Sequence, residues 1–185
     1  MNFIECYENI ASEDYCDRMI KKLEELITSN SEHNCFGSNA NGGPANRKDV
    51  ARYFERDCAN LAKETNSILD NGLRFYLEKY PSLDMMPFYS NVVKVQKTEP
   101  KGGFHTWHCE QGNDRSTSTR CLVWMIYLNT LPEGEGTTEF LEFGVKLQPN
   151  MGSLVFWPAS WTHTHRGNPV YTQNKYIATG WYYLS

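Results

Sequence analysis

Long apolar runs are missing from this sequence. No stretch approaches the roughly 18 consecutive apolar residues that a membrane-spanning helix needs, so no membrane partner is expected. Concentrated positive charge is missing too: no Lys/Arg run exceeds two residues (Lys21-Lys22 and Arg47-Lys48), and 18 Lys+Arg against 22 Asp+Glu leave a net charge of −4. Phosphate backbones demand a dense basic surface, which argues against nucleic acid as the main partner. The six cysteines form no CxxC pair, which speaks against structural zinc on cysteine, and a chain of this size folds without disulfide staples. The opening residues Met1-Asn2-Phe3-Ile4-Glu5 show neither the basic nor the apolar region of a secretory leader, so reduced thiols and a cytoplasmic location are expected. No internal repeat and no low-complexity segment is present.

What is present is an ordinary globular composition with an uneven layout. The 185 residues are 40% hydrophobic and 22% charged, which suits one domain with a sizeable core. Aromatics reach 14%, and all five Trp (Trp107, Trp124, Trp157, Trp161, Trp181) lie beyond residue 106. Four of the five His (His105, His108, His163, His165) fall in two short clusters.

The two halves follow different periods. From residue 12 to about 80 the pattern is helical. Tyr15, Met19, Ile20, Leu23, Leu26 and Ile27 fall on one stripe, with Ser12 as N-cap and Glu13 and Asp14 in the first turn. Asn30 to Lys48 is rich in Asn, Ser and Gly and reads as a long surface loop, either a lid or simply a mobile segment. A second helical run follows Asp49 through Val50, Tyr53, Phe54, Cys58 and Leu61. A third takes Ile68, Leu69, Leu73, Phe75, Tyr76 and Leu77 and ends at Pro81. After residue 85 short strand-like runs appear at Asn91–Gln96, Cys121–Leu128, Thr138–Phe143, Lys146–Leu147, Ser153–Trp157 and Tyr176–Tyr183. Cys121–Leu128 is apolar throughout, as in a strand buried on both faces. Helices followed by strands predict an α+β fold whose strands form a sandwich, jelly roll or barrel.

The first histidine cluster, Phe104-His105-Thr106-Trp107-His108-Cys109-Glu110, follows the turn Pro100-Lys101-Gly102-Gly103. On a strand, His108 and Glu110 project from one face and can share a metal, with Cys109 pointing away. About 0.6 such His-x-acid pairs are expected by accident, so the pair alone discriminates little. The second cluster, Trp161-Thr162-His163-Thr164-His165-Arg166-Gly167, follows a predicted strand and could supply a third ligand. Two His and one carboxylate is the facial set that holds non-haem Fe(II) with three positions open. The alternative is that these histidines are surface or hydrogen-bonded core residues.

Five ordered stretches then resemble the Fe(II)/2-oxoglutarate-dependent dioxygenases, the prolyl 4-hydroxylase-like branch in particular. They are Gln96-Lys97-Thr98 with Gly103 to Glu110; Arg120-Cys121-Leu122 to Ile126-Tyr127-Leu128-Asn129 with Gly134 to Phe140; Pro149 with Gly152 to Ala159; His165-x-Gly167-x-Pro169-Val170; and Lys175-Tyr176. The likeness covers roughly residues 91–183. It implies a double-stranded β-helix (jelly-roll) core over about residues 85–185, with a helical support region over about 1–84, in one domain.

The resemblance makes His108, Glu110 and His165 the iron ligands, His165 being preferred to His163 because Gly-x-Pro-Val follows it and Lys175 lies ten residues on. Lys175 takes the position that pairs with the distal carboxylate of 2-oxoglutarate, where a buried cation supplies charge-assisted hydrogen bonds. Tyr127 is either a hydroxyl near that carboxylate or a core aromatic, and Thr98 stands where related enzymes place a tyrosine. Arg120 and Trp181 match residues that flank the target prolyl ring; the alternative for Trp181 is core packing. Trp107, Trp124 and Trp157 are expected in the core or pocket wall, and His105 and His163 on the surface or as donors to the ligands. The implied activity is hydroxylation, of a prolyl residue in a peptide or protein, coupled to oxidative decarboxylation of 2-oxoglutarate to succinate and CO2. Fe(II) and O2 are required and ascorbate is supportive. Related halogenases lose the ligand carboxylate, whereas Glu110 is present, which favours hydroxylation. Other readings stay open: a non-catalytic jelly-roll binding module, a metalloenzyme of the same fold without 2-oxoglutarate, or an oxygenase acting on a small molecule or a non-prolyl residue. Lys175 discriminates, since a binding module has no reason to keep a lysine at that offset. Oligomeric state is not legible in the sequence.

Overall fold

The computed structural model describes residues 1–36 and 47–185. Its elements, in chain order, are β1 (Glu5–Tyr7), α1 (Glu13–Ser29), β2 (Cys35–Phe36), β3 (Arg47–Lys48), β4 (Val50–Tyr53), α2 (Phe54–Asp57), α3 (Ala59–Lys79), α4 (Pro81–Asp84), β5 (Phe88–Ser90), β6 (Lys94–Thr98), β7 (Gly103–Phe104), β8 (Arg120–Tyr127), β9 (Thr138–Phe140), β10 (Val145–Leu147), β11 (Leu154–Pro158), β12 (His165–Gly167) and β13 (Lys175–Leu184). A major antiparallel sheet runs β1-β11-β8-β13-β6-β4-β2, with β5 also on β13. A minor sheet runs β10-β9-β12, and β3 pairs with β7. The fold is therefore α+β, with mixed helices and antiparallel sheets. No helix among the described residues is long and apolar enough to cross a membrane.

Side-chain alternation along β8 divides the core. Leu122, Trp124 and Ile126 point to the helices, joining Leu154 and Phe156 of β11 and Ala178 and Tyr182 of β13. Val123, Met125 and Tyr127 point the other way, joining Val155 and Trp157 of β11 and Phe140 of β9. The expectation of a strand buried on both faces holds for β8: residues 122–127 are all buried.

The helices cover the first of these faces. Ser12 caps α1 by accepting the Tyr15 amide at 3.2 Å, with Glu13 and Asp14 in the dipole-favoured first turn. Tyr15, Cys16, Met19 and Leu23 are its buried stripe. In α3, Gly72 allows close approach to the sheet, since a β-carbon there would come within 2.3 Å of Leu154 Cδ2.

The helical region departs from the expected pattern in one place. Val50, Tyr53 and Phe54 carry helical spacing, yet Val50–Tyr53 is strand β4, paired with β6 at Val50↔Lys97 through Tyr53↔Lys94. Pairing with β6 on one side and β2 on the other supplies backbone partners and overrides local periodicity. The chain turns helical only at Phe54, and the expected second and third helices are otherwise one, α3. The Asn30–Lys48 segment is not loop at its ends, because Ser31–His33 forms a 3₁₀ turn, β2 pairs with β4 and β3 with β7. Its middle, residues 37–46, lies outside the described residues. Expected strands 91–96 and 138–143 are observed as Lys94–Thr98 and Thr138–Phe140.

Arg52 of β4 ties these parts together. It is 1% exposed; its Nε donates to Asp57 at 2.8 Å, and its Nη1 donates to the Leu26 and Asn30 carbonyls and Asn34 Oδ1. A buried guanidinium thus satisfies the C-terminal carbonyls of α1. Removing one partner of a buried ion pair typically costs about 3–5 kcal/mol. Arg52→Leu is therefore expected to lower the melting temperature by roughly 6–15 °C, read by thermal denaturation followed by circular dichroism.

Candidate metal and co-substrate site

The site forms where the two sheets face one another. The backbones of His108 and His165 exchange both hydrogen bonds, His108 N–H to His165 O at 3.0 Å and His165 N–H to His108 O at 2.8 Å. The strand setting considered for the first histidine cluster is limited here to this isolated bridge at His108, and Glu110 is held separately by its amide donating to Ala159 O at 3.1 Å. His165 begins β12, which pairs with β9.

Side-chain geometry is set by the same backbone. The Nδ1 of His108 lies 2.9 Å from Thr106 O, and that of His165 lies 3.0 Å from His163 O. A carbonyl only accepts, so each Nδ1 carries a proton and each Nε2 is the ring nitrogen turned to the site, the atom that a metal would engage. Those Nε2 atoms lie 3.3 and 3.6 Å from Glu110 Oε1, and one donor atom from each of the three residues falls within 4.8 Å of the others. Donors about 2.1 Å from a common ion at right angles stand roughly 3 Å apart, so this set can hold one divalent metal. Burial alone would raise the Glu110 pKa, but hydrogen bonds and charge from His108 and His165 outweigh it and hold the carboxyl well below the usual range.

Lys175, the first residue of β13, lines the same cavity and is 7% exposed. Its Nζ donates to Gly136 O at 2.6 Å and lies 5.4 Å from the Tyr127 ring centre; among the described residues no carboxylate forms an ion pair with it. Gly136 has φ +57° and a β-carbon there would meet Leu131 Cδ1 at 2.5 Å, so only glycine presents this carbonyl without strain. Burial pushes the Lys175 pKa down to about 8. An unpaired buried cation at one end and a metal-type donor set at the other suit a ligand with a carboxylate at its far end and a chelating group at its near end.

The other expected site residues are distributed around this axis. Thr98 lies opposite Lys175 in the β6–β13 ladder and lines the cavity. Tyr127 is fully buried and not on the cavity wall; its hydroxyl donates to Thr138 Oγ1 at 2.8 Å, and Thr138 is on the wall. Arg120 and Trp181 are also off the wall and engage Glu110 instead, Trp181 Nε1 donating to Oε2 at 3.0 Å and Arg120 Nη1 at 3.3 Å. His163 is buried rather than at the surface. Its ring nitrogens contact Asn2 O and Thr162 Oγ1, which leaves neither for the metal set. His105 Nδ1 lies 2.7 Å from Gly167 O. Trp124 packs in the helix-side core, Trp157 lines the cavity, and Trp107 stacks under Arg166.

Sequence reasoning passed over several cavity residues. Ile177 and Thr179 follow Lys175 at two-residue steps, so strand alternation could have found them. Gln96 and Thr138 lie inside stretches that carry the resemblance but had no role assigned to them, and Asp49, which hydrogen-bonds to Gln96, is brought to the cavity by tertiary pairing.

Comparison with known proteins follows the same lines. Residues 93–183 match the model of the 2OG-Fe(II) oxygenase superfamily. The prolyl 4-hydroxylase subunit alpha-1 of Gallus gallus is 29% identical over 72 residues, covering 35% of this chain and 14% of that protein; the match to the Homo sapiens protein of that name has the same identity and covers 13% of it. The chain thus spans only a small part of the curated relatives it matches. Among solved structures, a prolyl hydroxylase in complex with a hypoxia inducible factor oxygen degradation domain peptide fragment from Trichoplax adhaerens superposes with a TM-score of 0.79 at 19% identity, over 99% of this chain and 84% of that one. A viral collagen prolyl hydroxylase from Paramecium Bursaria Chlorella virus-1, solved as a 2OG complex, gives 0.73 at 18%, over 100% and 97%. At these identities the likeness speaks for the fold.

Lys175 has a measurable cost. The unfolded chain keeps its proton up to the ordinary value of 10.5, whereas the folded, ligand-free protein releases it from about pH 8. The penalty is therefore fully present below about pH 8 and fades as pH rises towards 10.5. Lys175→Met is expected to be more stable than the parent by roughly 3 kcal/mol at pH 7, with the difference shrinking towards zero at high pH. Urea denaturation of both proteins across that range checks it.

Proposed function

We propose that this chain, whose residues 93–183 match the 2OG-Fe(II) oxygenase superfamily, hydroxylates a prolyl residue in a peptide or protein while 2-oxoglutarate is converted to succinate and CO2. The observation that carries the reading is the sharing of one cavity by the His108–Glu110–His165 donors and the buried, unpaired Lys175. We read the two facing sheets as a double-stranded β-helix, and residues 1–185 as one unit, because α1 and α3 pack into the same core as β8, β11 and β13. A cytoplasmic location is supported by six free cysteines.

In this reading His108, Glu110 and His165 hold Fe(II). Iron bound there supplies the oxidising chemistry that activates O2 and couples decarboxylation to hydroxylation. Everything else is done by the chain. The two Nε2 lone pairs and the ionised Glu110 form a donor set of one negative charge. Lys175 holds the distal carboxylate of 2-oxoglutarate, and its pKa of about 8 leaves it mostly protonated at neutral pH before that anion arrives. Tyr127 acts on the same end through Thr138: by donating to Oγ1 it leaves the threonine hydroxyl hydrogen for the ligand. Thr98, across the ladder from Lys175, contributes a second hydroxyl. Met125, Trp157, Val170 and Ile177 give the cavity an apolar wall that keeps water out and strengthens these polar contacts. Arg120 and Trp181 border the Glu110 side, where a prolyl substrate would approach, and the prolyl choice is supported by the relatives, which are prolyl hydroxylases.

The test is succinate formation with Fe(II), 2-oxoglutarate, O2 and ascorbate in the presence of a proline-containing peptide library, with the added oxygen located by mass spectrometry. The parent is expected to turn over and His108→Ala to be inactive. Lys175→Met should raise the KM for 2-oxoglutarate on the order of 10²-fold, the usual scale for truncating one member of a buried charge pair. Absence of succinate, together with no thermal stabilisation by 2-oxoglutarate in the Fe(II)-loaded protein, would overturn the reading. Succinate formed without any modified proline would move the substrate outside prolyl peptides.

A further inference from the structure

We propose that Arg120 and Trp181 are a positioning pair that restricts Glu110 to one metal-facing oxygen. The inference rests on the reading of His108, Glu110 and His165 as metal ligands.

The two oxygens of Glu110 face different groups. Oε1 is the one near His108 Nε2 and His165 Nε2, at 3.3 and 3.6 Å. Oε2 accepts the Trp181 indole N–H at 3.0 Å and an Arg120 guanidinium N–H at 3.3 Å. The same Arg120 nitrogen donates to the Glu110 backbone carbonyl at 3.0 Å, so the guanidinium grips both the main chain and the side chain of one residue. The Arg120 guanidinium carbon lies 3.8 Å from the Trp181 ring centre, a stacked arrangement in which each side chain fixes the plane of the other. The β8–β13 ladder shifts register between Tyr182 and Tyr183, at the end of the strands where Arg120 meets Trp181. Such irregularities re-aim side chains beside functional sites.

The chemical consequence concerns coordination number. A glutamate carries one more rotatable bond than an aspartate, and a carboxylate with two free oxygens can take two metal positions instead of one. Two donors already engaged by Oε2 oppose that second bond, and the glutamate arm is held in one rotamer. A facial set of three single-atom ligands then keeps three positions open. Neither Arg120 nor Trp181 lines the cavity, and Arg120 Nη1 and Trp181 Nε1 both donate to Glu110, which assigns them to the ligand rather than to the reacting atoms.

The test uses the full chain loaded anaerobically with Co(II), a spectroscopic probe whose visible absorption reports coordination number. Affinity is measured by calorimetry, and ligand-free melting temperatures are recorded alongside. The parent is expected to bind one Co(II), and His108→Ala to lose it. Trp181→Phe keeps the stacked ring and removes one hydrogen bond; it should weaken Co(II) binding about tenfold. Arg120→Met should weaken it roughly 10–100-fold, the scale seen when partners of metal ligands are removed. Both should shift the Co(II) absorption away from that of the parent as Oε2 is freed, and Arg120→Lys, which keeps the charge, should recover part of the affinity. If Arg120→Met fails to fold, Trp181→Phe decides alone. Parent-like affinity within twofold and an unchanged spectrum in Trp181→Phe would overturn the positioning pair while His108→Ala still upheld the metal site. A parent that bound no better than His108→Ala would remove the metal site itself.

Discussion

The candidate site depends on two backbone hydrogen bonds between His108 and His165. Each residue both donates to and accepts from the other, so two segments far apart in sequence are locked in register as a hydrogen-bonded antiparallel pair. Side-chain placement then follows from local carbonyls: each imidazole turns its Nδ1 to the carbonyl two residues before it, which aims both Nε2 atoms at one point. The third member needs its own anchor, the Glu110 amide on Ala159 O, because it lies outside the bridge. Donors assembled in this way need little rearrangement to receive a metal, and ordering that has been completed on folding is not charged against binding.

The remainder of the molecule keeps that bridge rigid and half-sheltered. β8 is buried on both faces, with tryptophan and aliphatic residues towards α1 and α3 and with Val123, Met125 and Tyr127 towards the minor sheet. Helices α1 and α3 seal the back of the major sheet so that the front can remain concave, while Asp49, from the same half of the chain, lines the cavity on that front. On that front the protein keeps a lysine with no carboxylate partner in an ion pair among the described residues, a position that favours ligand capture over stability.

Much of this was legible along the chain, and what was not has identifiable causes. The apolar run 121–128 announced the central strand, and Ser12 with Glu13 and Asp14 announced α1, because both signals are local. β4 was misread as helix because Val50, Tyr53 and Phe54 happen to carry helical spacing while the pairing that makes them a strand comes from β6. Strands of two or three residues, such as β2, β7 and β12, have no pattern of their own. Around the site, His108, Glu110, His165 and Lys175 were singled out by the family resemblance, since spacing alone left the histidines open to other readings, and the structure gathers all four around one cavity. The contacts of Arg120 and Trp181 could not be read in this way, since a sequence does not reveal that both lean on the far oxygen of Glu110. The contact of Asp49 with Gln96 was silent for the same reason: their meeting is a product of three paired strands.

Strand β13 deserves a different description from the one its hydrogen bonds suggest. Lys175, Ile177 and Thr179 reach the cavity, and Trp181, the next residue in that alternation, reaches Glu110. The four lie on one side of a single strand, like marks on a ruler, and Tyr176, Ala178 and Tyr182 fill the helix-side core between them. A length change of one residue inside Lys175–Trp181 would turn all the marks after it to the wrong side and press polar groups into the core. The loop from Asn168 to Asn174 gives little slack before the strand, since Val170 is buried on the cavity wall and the backbones of Asn168 and Pro169 bond Thr137 and Gly136. The spacing along this strand is therefore held at both ends, and a change of length within it would separate Lys175 from the cavity or Trp181 from Glu110.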